Sequence, residues 1–214
     1  MTICSERQIT ERVYDLLVPL PRHNHVTSPG QLPTDGIYVF FEHGEQALAN
    51  GAIVDRIVRV GTHVKDGNFR ARIREHYGQV KSLGGNKNSS VFRKHLGSAL
   101  LRRVDPLDPR LPAWLKNMGP SYPDVEAEVS RALRETFTFV CFAVPTSTER
   151  LSIESGLIAL LSQHALGAPS SSWLGYYAAS DKIGHSGLWN SNEIDAAPLT
   201  AIQLARLEEL VGSK

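Results

Sequence analysis

Residues 137–144, FTFVCFAV, form an uncharged run dominated by aromatic and β-branched side chains, and Pro145 closes it. Its length is that of a strand and its lack of charge that of a buried one, so it reads as a central strand. Two other segments share its character. GIYVFFE (36–42) follows the turn-forming Thr34-Asp35-Gly36, and RIVRVG (56–61) lies beyond the polar connection EHGEQALANGA. The spacing of these two predicts an antiparallel hairpin with a long loop. Amphipathic patterns predict helices over 5–18, 68–77 with Asn68 as N-cap, 124–136 capped by Asp124, 149–166 capped by Thr146 or Thr148, and the C-terminal TAIQLARLEELV. A further helical piece, SSVFRKHLGSALLRRV, precedes a loop at 105–112 that contains three prolines.

The 214 residues suffice for one domain with a real core, and no apolar stretch reaches the ~20 residues of a membrane span. Two cysteines cannot make a disulfide framework or a CxxC zinc site, and the first residues lack a secretory pattern, so a cytoplasmic domain is expected. Cys141, mid-strand among apolar neighbours, reads as an inert core thiol, and His23 and His25 as loop histidines.

The net charge of +1 conceals a segregation. Residues 56–103 hold twelve cations and two acids, a balance of +10, which leaves −9 for the rest. Such a block is an electrostatic footprint for a polyanion, nucleic acid above all, or else a solvated basic face.

Two helices place chemistry beside apolar surface. In 68–77, Phe69, Ile73 and Tyr77 make the buried stripe, Arg72 and His76 share one flank, and Arg70 and Arg74 share the other. In 149–166, Glu154 falls between Leu157 and Ile158 on the apolar face. A carboxylate there must be ion-paired, exploit the helix N-terminus or hold a metal. No GxSxG elbow, Walker loop, HExxH or dinucleotide fingerprint is present. One metal-binding carboxylate, one phosphate-binding arginine and a phenol or imidazole for proton transfer would meet the needs of phosphodiester cleavage. Each also has a plainer reading: Tyr38 as a strand tyrosine packed beside Phe40, and Arg72 as a solvated helix arginine.

In this order the residues resemble the GIY-YIG nuclease family. Gly36-Ile37-Tyr38 stands where the first signature triplet would be, and Arg59-Val60-Gly61 where the second would be. Arg72 and His76 match the arginine and histidine of the family's helix, and Glu154 its metal-binding glutamate after the third strand. Asn190, with Asn192 as fallback, matches a later supporting asparagine. The resemblance implies an α/β (α+β) fold: a three-stranded, mostly antiparallel sheet flanked by helices. The nuclease-like core would span 36–77 and 137–192. Residues 1–35 would be a lead-in with a helix, 78–136 a helical insertion serving as a DNA-binding extension, and 193–214 a C-terminal helix.

The resemblance further implies a metal-dependent endonuclease acting on DNA, with Mg²⁺ or Mn²⁺ on Glu154. The catalytic set would be Tyr38, Arg72, His76, Glu154 and Asn190, and the nucleic-acid contacts Arg59, Arg70, Arg74, Lys81, Lys87, Arg93 and Lys94. One site per chain implies a homodimer or sequential nicking for double-strand cuts. Arg59 stands where a tyrosine is usual, which motivates an alternative: a catalytically inactive nucleic-acid-binding module on the same scaffold. An adaptor with an incidental charge cluster is a third reading.

Overall fold

A computed structural model describes residues 5–212. In chain order the elements are α1 (Glu6–Leu17), β1 (Gly36–Ala49), β2 (Ala52–Gly61), α2 (Phe69–Tyr77), α3 (Val91–Val104), α4 (Leu111–Leu115) and α5 (Pro123–Thr136). β3 (Phe137–Ala143), α6 (Ser147–Leu161), α7 (Asp181–Ser186) and α8 (Ala201–Gly212) follow. The three strands form one antiparallel sheet in the order β2-β1-β3, flanked by helices as expected.

Pairing order overturns one expectation. The central strand is β1, and β3 is an edge. Residues 36–41 are buried without a break, since helices cover both faces and a strand lies on either side. β3 keeps its apolar character because its outer edge is also covered: His23 N–H donates to Phe139 O (2.7 Å), and Phe139 N–H donates to His23 O (2.9 Å). His23 thus acts through its backbone, in an isolated bridge that blunts the edge.

The hairpin also differs from expectation. Instead of a long loop, β1 and β2 run on to a two-residue turn at Asn50-Gly51, both with positive φ (48° and 77°). Asn-Gly is the pair that such a turn favours, because its backbone twist matches that of the strands. The polar stretch that resembled a loop is a bulge: between Phe41 and Gln46 the register slips, and pairing then resumes through Ala49.

Alternation along β1 sorts its side chains onto two cores. Ile37, Val39 and Phe41 face a core completed by α1, α6 and α8, including Val13, Leu157 and Leu207. Tyr38 and Phe40 face the second core, built with α2, α3 and α5 from Ile73, Phe92, Leu96, Val129 and Leu133. Residues 78–136, expected as an extension, therefore supply much of one helical layer.

Local starts differ in detail. Thr146 caps α6, accepting from the Glu149 N–H, and Ser90 caps α3, accepting from that of Arg93. Asn68 makes no capping bond, and α5 begins with Pro123 in its first turn, so Asp124 lies inside the helix. Pro112 likewise opens the short α4 where a loop was expected. α6 stops at Leu161, short of residue 166, and Leu151, expected on its buried face, is exposed.

Candidate active site

The β1–β2 register sets the site. Tyr38 pairs with Gly61 and Phe40 with Arg59, so Tyr38 and Arg59 project on the same side of the sheet. The phenol lies across Gly61: a Cβ built there would come 2.3 Å from Tyr38 Oη. Glycine in the second triplet is therefore a steric requirement of the phenol's position.

From α2, His76 reaches the same point. Tyr38 Oη and His76 Nε2 are 2.7 Å apart, and His76 Nδ1 lies 2.8 Å from the Oγ of Ser90. Burial, with the charges of Arg72, Arg59 and Arg93, holds the imidazole well below the usual histidine range. It is neutral at physiological pH and keeps one nitrogen lone pair for an incoming proton. Burial pushes the Tyr38 phenol up, while the Arg59 and Arg72 charges oppose that shift. Arg72 is partly exposed, its Nη1 donating to Glu75 Oε2 (3.0 Å) and Ser89 O (2.6 Å).

Arg59 was expected on the nucleic-acid surface, but it is buried beside Tyr38. Its Nη1 donates to the Trp189 carbonyl, its guanidinium carbon sits 4.9 Å from the Phe92 ring centroid, and its Nε has no hydrogen-bond partner among the described residues. A cation is thus fixed at the position where the resemblance would put a phenol.

Glu154 comes from α6 to the end of β2, where Oε1 accepts from the Thr62 N–H (3.0 Å). Burial raises its carboxyl to about 7, against the lowering effects of Arg59, the Thr62 N–H and Arg72. Of the three readings open for this carboxylate, no direct ion pair to it is found among the described residues. The donor set fits a hard cation that keeps most of its water: one under-compensated carboxylate, with substrate phosphate oxygens to complete the shell. No cluster of three or more His, Cys, Asp or Glu able to cage a metal occurs among the described residues.

Asn190 lies on the free edge of β2. Its Oδ1 accepts from Val60 N–H (3.0 Å) and its Nδ2 donates to Val60 O (2.9 Å), while Trp189 N–H donates to Val58 O (2.7 Å). Residues 189–190 are thus tied to β2 by one backbone bond and the Asn190 amide, and Asn190 supports the position of β2. Asn192, the fallback, is exposed.

Sequence reasoning missed three side chains. Ser90 holds His76, and its place before a helical pattern was the available signal. His95 and Ser191 (Nε2···Oγ 3.0 Å) lie close enough to Arg59 that its charge helps burial lower His95 to about 4. No local pattern marks that pair.

The expected nucleic-acid contacts divide by burial. Arg93 is fully buried: Nε and Nη2 donate to Glu126 Oε2 (2.9 and 2.6 Å) and Nη1 to His76 O (2.8 Å). Lys87 is 1% exposed, with Nζ on Asn88 Oδ1 and Lys116 O. Both are structural cations that cross-link the helical layer, because a buried charge must be paired. Arg70, partly buried, donates to Leu32 O, and Lys94 donates to Asn117 Oδ1. Arg74 and Lys81 are exposed and make no ion pair among the described residues. Cys141 is partly buried and pushed up to about 12 by burial, as an inert thiol should be. No helix among the described residues is long and apolar enough to cross a membrane.

The GIY-YIG domain family matches residues 6–214, a span that includes the segment between the Arg72 helix and β3. No curated protein and no solved structure matches the chain. The match covers nearly the whole sequence. The chain belongs to the GIY-YIG family, whose activity in general is that of a nuclease and whose members generally depend on a divalent metal.

Proposed function

We propose that the protein is a cytoplasmic, Mg²⁺- or Mn²⁺-dependent endonuclease that hydrolyses DNA phosphodiester bonds, of the restriction, repair or defence type. The observation that carries this is electrostatic convergence: Arg59, Arg72 and Glu154 all perturb one buried phenol, itself 2.7 Å from His76.

Hydrolysis needs an activated water, charge stabilisation at phosphorus and a stabilised leaving oxygen. Tyr38 Oη takes a proton from the attacking water as its own moves to His76 Nε2, and Ser90 holds Nδ1. Arg72, partly exposed, binds the scissile phosphate and stabilises the charge that grows on its oxygens. Glu154 would hold the divalent ion, whose chemistry is to neutralise negative charge on the phosphate and the leaving 3′ oxygen. Asn190 keeps β2, and with it Gly61 and Thr62, in register beneath these groups. Arg74, Lys81, Arg70 and Lys94 are the proposed cationic contacts to the backbone. Of the two routes to double-strand cuts, homodimer or sequential nicking, nothing among the described residues supports the homodimer.

Incubating supercoiled plasmid with the protein and Mg²⁺, beside EDTA and Glu154→Ala controls, tests the reading. Nicking that needs both metal and Glu154 is expected, and its absence rejects the proposal. DNA retention without nicking would support the inactive binding module, the reading motivated by Arg59 in the tyrosine position. A structured RNA in parallel tests the choice of DNA.

A further inference from the structure

A cavity of about 870 Å³ opens along α2, between the lead-in residues 24–32 and the loop 78–86. Leu32 and Ile73 give it an apolar floor, and Val80, 73% exposed, stands in its wall. Arg70, Arg74, Lys81 and Arg134 line it against one acid, Glu75. Arg134 donates to the carbonyls of Tyr77, Gly78 and Val80 and so fixes positive charge in the wall. Arg74 and Lys81 are free to meet anions. The cavity lies on the Arg70–Arg74 flank of α2 and borders the candidate active site through Glu75 and Ser89, the two hydrogen-bond partners of Arg72, which both line it.

The chemistry of an occupant follows from this mixture. An intact duplex presents phosphate and sugar and keeps its bases stacked inside, so it can lie across cations but cannot fill a concave apolar cavity. An unstacked nucleotide offers both a flat apolar base for the floor and a phosphate for the rim. A small inorganic anion would meet the cations but leave the floor empty.

We propose that this cavity is a subsite for an unpaired nucleotide of the substrate, so that the protein engages nucleic acid where duplex meets single strand. The proposal rests on the nuclease reading and refines its substrate class.

Binding can be measured without cleavage, by fluorescence anisotropy in EDTA with Glu154→Ala as the parent. The probes are a labelled blunt DNA duplex and the same duplex with a short single-stranded thymidine overhang. The overhang is expected to bind about fivefold tighter or more. Val80→Trp, which fills the cavity from an exposed position, should erase that gain and leave blunt-duplex affinity within about twofold. Arg74→Ala with Lys81→Ala should reduce the gain and flatten the salt dependence. Equal affinity for the two probes would overturn the proposal, as would a Val80→Trp loss shared equally by both. Plasmid nicking without overhang preference refutes the subsite alone. Overhang preference that Val80→Trp abolishes, in a protein that nicks nothing, refutes the nuclease reading and leaves the subsite standing.

Discussion

Glu154 makes a quantitative demand on the folded protein without metal. Its carboxyl is raised from 4.5 to about 7 by burial. The unfolded chain releases this proton near 4.5 and the folded chain holds it until about 7, so in that window the folded state binds more protons. Stability contributed by Glu154 is therefore greatest below pH 4.5, falls as pH rises through 7 and is level above. At about 1.4 kcal/mol per pH unit the ionised carboxylate costs about 3 kcal/mol. His76 and His95, both lowered by burial, act with the opposite sign: the unfolded chain takes up their protons first as pH falls below 6.5, so acid destabilises the fold through them. The Glu154 contribution must therefore be read as a difference. Urea unfolding of the parent and Glu154→Gln, from pH 5 to pH 8 in EDTA, should show the variant gaining relative stability by about 2.5 kcal/mol toward pH 8, the rest of the cost being incurred below pH 5. Adding Mg²⁺ at pH 8 should narrow the gap by stabilising the parent only. A difference independent of pH would refute the argument that this carboxylate is buried and under-compensated.

Other expectations concern single residues. Tyr38→Phe should lower kcat by about 10²–10⁴-fold with little change in fold, and His76→Ala should lower it too; plasmid nicking rates against circular dichroism check both. Gly61→Ala drives a Cβ into Tyr38 Oη, and a loss of roughly 1–3 kcal/mol in urea unfolding should accompany loss of nicking. Arg93→Ala leaves Glu126 charged and buried, so destabilisation of about 3–5 kcal/mol is expected. Lys81→Ala should leave stability within about 0.5 kcal/mol and reduce the log–log salt slope of DNA binding by about one.

The candidate site residues were named through the resemblance, and local spacing placed each of them on its element. Tyr38 lies on an apolar strand, Arg72 and His76 on one helix flank, and Glu154 on a helix facing the core. The cations were not readable, because a count of charges does not say which are solvated. Arg93 and Lys87 fall in the same basic block as Arg74 and Lys81, yet the first two are sealed by Glu126, Asn88 and the Lys116 carbonyl. The polar stretch 42–45 read as a connection because a bulge interrupts the alternation on which strand recognition rests.

The sequence by itself determined the buried character of β1, through an unbroken run of aromatic and β-branched residues, and the order in which phenol, arginine, imidazole and carboxylate occur. Local periodicity and side-chain chemistry are enough for that. Only the tertiary structure decided that β1 and not β3 is central, that Arg59 stands beside Tyr38 and that Glu154 meets the Thr62 amide. It also decided which half of the basic block faces solvent. Strand order, burial and charge compensation depend on partners far away in the chain, and the period of a segment carries no information about them.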